Sequence, residues 1–93
     1  MQVEEIADAV LQLVEKYSIK KVVLFGSRAD GTSHDDSDVD LIMEFEIPVS
    51  LITLSMIQIE LEEMLGKGID LIHGPVTEED MIKINKEIVL YAA

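Results

Sequence analysis

One stretch limits what this chain can fold into. The apolar run Val22-Val23-Leu24-Phe25 leads into Gly26-Ser27-Arg28-Ala29-Asp30-Gly31. A polar segment follows, then Asp38-Val39-Asp40-Leu41, which opens a second apolar run through Met43. Short β-rich runs bounded by glycine and charge are the signature of buried strands. The stretch therefore reads as a strand over 19–25, a phosphate-binding turn with a short helix over 27–32, a polar loop, and a second strand over 37–46 carrying two acids. Side chains two residues apart on a strand share a face, so Asp38 and Asp40 stand together. Two carboxylates about 5 Å apart repel by roughly 3 kcal/mol at an effective dielectric near 20. A cation offsets that repulsion, and magnesium with a nucleoside triphosphate is the natural candidate.

The remaining elements follow from periodicity. Val3, Ile6, Ala7, Val10, Leu13, Val14 and Tyr17 recur at three- and four-residue steps, predicting an amphipathic helix over 2–17. Ser50 to Leu65 predicts a helix with two apolar stripes, one through Leu51, Leu54, Ile57, Leu61, Met64 and Leu65 and the other through Ile52, Met56 and Ile59. Such a helix packs into the core on two sides, or else presents Ile52, Met56 and Ile59 to a partner. Gly66 is placed to stop it in a left-handed conformation. Ile69-Asp70-Leu71-Ile72 predicts a third strand with one acid in an apolar frame. Thr77 and Asp80 have capping-box spacing, and Met81, Ile84, Ile88 and Tyr91 predict a last helix over 78–91. Tyr17 and Tyr91 are expected at the edge of the core. The order is α-β-(α)-β-α-β-α, an α/β fold with a small mixed or largely parallel sheet of three or more strands flanked by helices.

Composition narrows the function. At 93 residues the chain is expected to be a single domain. Seven basic against 19 acidic residues give a net charge of −12, which argues against a direct grip on nucleic acid and favours a basic protein partner or divalent cations. There is no cysteine, hence no disulfide or thiolate chemistry, which is compatible with the cytoplasm. No stretch has the form of a signal peptide or the length of a membrane helix. Homo- or hetero-oligomers are compatible with this composition.

Chemistry concentrates on a few residues. Gly26 lets backbone approach a ligand closely, and Ser27 adds a hydroxyl where a helix N-terminus can hold a terminal phosphate. Arg28 suits either a phosphate contact or an ion pair. An isolated charge is costly in a dry core, so Asp70 is expected to face the site and complete three carboxylates around two metals. A calcium loop starting at Asp36 fails, because Leu41 and Ile47 stand where glycine and glutamate are needed. A Walker loop fails too, since no Gly-Lys-Ser/Thr follows. Asp35, Asp36, His34 and His73 are expected in solvent.

Gly26-Ser27-Arg28-Ala29-x-Gly31 with Asp38-Val39-Asp40-Leu41 closely resembles the nucleotidyltransferases of the DNA polymerase beta-like superfamily. The size, Asp70 and the Leu90-Tyr91 tail are similar to its minimal nucleotidyltransferase (MNT) group, the antitoxins of HEPN ribonuclease toxins. Asp30 stands where that group commonly has a second Arg, which removes a cation near the phosphates. The resemblance implies a magnesium-dependent transfer of AMP from ATP to a hydroxyl, a tyrosine of a HEPN toxin. Gly26 and Ser27 would hold the β- and γ-phosphates. Asp38 and Asp40 would bind both of two magnesium ions, with Asp70 on the ion nearer the acceptor, where it could also take the acceptor's proton. Two other readings stay open: neutralisation by contact alone, and transfer to a small-molecule alcohol.

Overall fold

The computed structural model describes residues 2–26, 38–74 and 87–93. Its elements are α1 (Val3–Leu13), β1 (Ile19–Phe25), β2 (Val39–Phe45), α2 (Leu51–Leu65), β3 (Ile69–His73) and β4 (Glu87–Ala92). The strands form one sheet in the order β3-β2-β1-β4. β1 runs antiparallel to both β2 and β4, while β2 and β3, joined through α2, are parallel. The sheet is thus mixed, as the sequence implies, but not largely parallel. β1 and β2, consecutive in the chain, are antiparallel neighbours, so this pair is not a parallel crossover unit.

The helices pack on one face of the sheet. Ile6, Ala9, Val10 and Leu13 of α1 join Ile57 and Leu61 of α2 against Ile19, Val22 and Leu24 of β1, Val39, Leu41 and Met43 of β2, and Ile69 of β3. Alternation along β2 sends Val39, Leu41 and Met43 into this core, so Asp40 and Ile42 point to the opposite face. α1 stops at Leu13, short of the predicted Tyr17, and turns fill 14–18. Ser18 takes a left-handed φ of +53° there. Tyr17 still packs at the core edge, and its hydroxyl donates to Glu60 Oε2, while Lys16 Nζ donates to Glu60 Oε1 at 2.7 Å. Those two contacts tie the end of α1 to α2.

α2 is capped as its sequence suggests. The Ser50 hydroxyl accepts from Thr53 N–H at 3.1 Å, and Gly66 closes the helix at φ +67°. It does not pack on two sides, however. Ile57 and Leu61 are buried, whereas Ile52 is 74% and Ile59 54% exposed. The four-strand sheet offers α2 one surface only, so one stripe is left over.

The expected last helix is corrected by the structure. Residues 87–92 form strand β4 along the free edge of β1, pairing Ile88 with Leu24 and Tyr91 with Val22. Helical spacing through Ile88 and Tyr91 coincides with strand alternation through Ile88 and Leu90, and an unpaired β1 edge decides between them. The rest of that helix, Thr77 and Asp80 lie outside the described residues. No helix among the described residues is long and apolar enough to cross a membrane.

Candidate active site

The acids gather where β1 ends and where β2 and β3 begin. Asp40 is the register partner of Phe25 on one side and of Asp70 on the other. Register partners on neighbouring strands share a face at a Cβ separation of about 5 Å. Ile69 is buried in the core, so Asp70, like Asp40, faces away from the helices. Asp38 has the same parity as Asp40 and sits just before β2. Three acids spread over 33 positions of sequence are therefore brought to one face.

Two glycines give these carboxylates room. A side chain at Gly26 would place its Cβ 2.5 Å from Asp40 Oδ2, and the backbone there has φ +78°. Both conditions exclude other residues. A Cβ at Gly68 would lie 2.5 Å from Asp38 Oδ1, and the Gly68 carbonyl accepts from Val39 N–H at 2.8 Å. In the sequence Gly68 is only a second glycine, two residues after Gly66. Its spacing two residues before Asp70 is the signal that could have marked it.

Electrostatics agree with the geometry. Partial burial raises the Asp40 carboxyl above its ordinary value, and the charges of Asp70 and then Asp38 push it further the same way. Both neighbours are thus close enough to act on it. Three hard oxygen donors have the chemistry of a magnesium or calcium site rather than a zinc site. The set is not a closed cage. Among the described residues no three acid, histidine or cysteine side chains are arranged to hold an ion as they stand. The donor chemistry fits a divalent cation that takes its remaining ligands from elsewhere.

Gly26 follows the end of β1, beside Asp40. Ser27 and Arg28, with His34, Asp35 and Asp36, lie outside the described residues. His73 ends β3, exposed as expected, and stacks on Phe45 with ring centroids 5.6 Å apart. It stands three residues beyond Asp70 in the strand, away from the acids. Concavities among the described residues also lie elsewhere, for example between α1 and α2 beside Gln12, Lys16 and Met64.

An acidic cluster at a glycine turn on this mixed sheet is the arrangement of a nucleotidyl-transferring enzyme. The sequence matches the family model of the nucleotidyltransferase domain over residues 3–92, and the chain belongs to that family. A relative in Methanocaldococcus jannaschii, provisionally named a protein adenylyltransferase, is 35% identical over 72 residues, covering 77% of each chain. A toxin–antitoxin crystal structure with AMP-PNP matches at TM-score 0.78 and 19% identity, over 94% of this chain and 73% of the other. An MNT antitoxin in complex with a tri-AMPylated HEPN toxin of Shewanella oneidensis matches at TM-score 0.71 and 14% identity, over 97% and 72%. The fold and enzyme class are those of a nucleotidyltransferase with the dimensions of the minimal group.

Proposed function

We propose that this chain transfers AMP from ATP to a tyrosine hydroxyl of a HEPN-type toxin in the cytoplasm and so acts as its antitoxin. The observation that carries this reading is the pairing of Asp40 with Asp70 across two parallel strands, with Asp38 beside them. Relatives named for protein adenylylation and neighbours joined to toxins support it. Asp38, Asp40 and Asp70 would hold magnesium, which neutralises triphosphate charge and favours ionisation of the attacking hydroxyl. Asp70, the most exposed end of the paired acids, would receive the acceptor's proton. Gly26 and Ser27 would bind the β- and γ-phosphates through backbone N–H groups and the serine hydroxyl, with Arg28 adding charge. The oxygen of the acceptor then bonds to the α-phosphorus, and pyrophosphate leaves. Catalysis here rests on positioning and charge compensation. A docked protein that presents its own hydroxyl suits a domain with little surface to grip a large acceptor.

The test is transfer of labelled AMP from ATP to the protein encoded beside this chain. Label should reach a tyrosine of that protein, and Asp38→Ala should abolish it together with neutralisation. Neutralisation that survives Asp38→Ala would show that contact alone suffices. Label passing instead to small alcohols, with no protein present, would replace the acceptor.

A further inference from the structure

Among the described residues β3 is an edge strand, and half of its main-chain groups face away from β2. At Ile69 they are taken by α2. Gln58 Nε2 donates to the Ile69 carbonyl at 2.8 Å, and the Ile69 N–H donates to Glu62 Oε2 at 3.2 Å. Gln58 and Glu62 are one helical turn apart, so they share a face of α2 and bracket a single residue. That residue lies between Gly68, against which Asp38 rests, and Asp70, the partner of Asp40. Ile69 is buried, so its outward N–H and carbonyl need protein partners. Both partners come from one face of α2, at the residue that separates Gly68 from Asp70.

We infer that Gln58 and Glu62 are positioning residues: they clamp Ile69 and thereby fix the Gly68–Asp70 segment on which the separation of the three carboxylates depends. This rests on the nucleotidyltransfer reading above. The clamp acts at a distance, through the backbone, and touches no reacting atom. A displacement of Asp70 by an ångström is enough to cost an enzyme of this kind on the order of a hundredfold in rate.

The test uses Gln58→Met, which keeps length and removes the donor, and Glu62→Gln, which keeps an acceptor oxygen. Gln58→Asn, one methylene shorter, repeats the first in a side chain that stays polar. Two quantities are measured: amide hydrogen exchange at Asp70 relative to Leu24, and kcat against KM for ATP. In Gln58→Met and Gln58→Asn the exchange ratio should rise about tenfold or more, with kcat down at least tenfold and KM near that of the parent. Glu62→Gln should restore both toward parental values, where Glu62→Met does not. A merely structural role would lower overall stability while leaving the exchange ratio and kcat unchanged, and that result overturns the inference. A parent protein that transfers nucleotide to no hydroxyl overturns the function instead, and the exchange ratio alone then decides the clamp.

Discussion

The clearest consequence of the acid pair is that the site destabilises its own fold. Asp40 and Asp70 are register partners on adjacent parallel strands, so their side chains leave the sheet about 5 Å apart. At that distance two charges repel by about 3 kcal/mol at an effective dielectric of 20 and by about 0.8 kcal/mol in bulk water. Asp70 is exposed and Asp40 half-buried, so the working value falls between, at about 1–2 kcal/mol. The sign follows from linkage. A carboxyl raised in the folded state stabilises the fold when protonated and costs stability once pH rises through its folded value, so at neutral pH Asp40 is a burden. Asp40→Asn removes the charge and keeps the shape. In a metal chelator at low salt it should melt about 4–16 °C above the parent, since a domain of this size gains roughly 4–8 °C per kcal/mol. Asp70→Asn should do the same, and the double variant should gain less than the sum by about 1–2 kcal/mol. High salt should shrink every difference. Thermal unfolding followed by circular dichroism measures all of it. An Asp40→Asn protein that melts at or below the parent, or a coupling of zero, refutes the convergence of these acids.

Other perturbations separate site from scaffold. Gly68→Ala should leave stability within about 1 kcal/mol but cut AMP transfer on the order of tenfold to a hundredfold, because the new Cβ displaces Asp38. Gly66→Ala is the counterpart: nothing lies within 4 Å, but φ is +67°, so it should cost about 1–2 kcal/mol of stability and no activity per folded molecule. Ser50→Ala should cost about 1 kcal/mol in urea unfolding through loss of the Thr53 cap. Hydrogen bonds from Lys16 and then Tyr17 hold the Glu60 carboxyl below its ordinary value near 4.5. Their contribution is present above that pH and fades as pH falls through the folded value, so Glu60→Gln should flatten the acid limb of a stability–pH curve.

Most elements were legible because their signals were local. β1, β2 and β3 are apolar runs with hard boundaries, and α2 has its cap and its stop in Ser50 and Gly66. The residues after 86 were not, because the spacing of Ile88 and Tyr91 serves either a helix or a strand until a partner edge is known. The two stripes of α2 posed a similar problem: nothing in Ile52, Met56 and Ile59 tells that the sheet has only one surface for them. Asp38 and Asp40 could be paired from spacing alone, whereas the register that sets Asp70 beside Asp40 is a tertiary fact. Gly68, Gln58 and Glu62 became functional candidates only once that register was in place.

Register is therefore the quantity on which the site turns. Helices cover one face of the sheet and acids occupy the other, so every strand residue belongs to one side by parity. A slip of β3 by one residue against β2 would carry Asp70 into the apolar layer now filled by Ile69 and bring Ile69 out beside Asp40. The penalty is double, a buried charge and an exposed isoleucine, and it guards the arrangement strongly in the unliganded fold. Repulsion between Asp40 and Asp70 works in the opposite direction, favouring separation of the two strands at their acidic ends. Gly68 binding Val39 across the strands and α2 gripping Ile69 from outside oppose that separation at the same three residues. The sheet holds its charges together by spending backbone contacts where β3 begins, which is why the short connection from Gly66 to Asp70 carries more of the site than its length suggests.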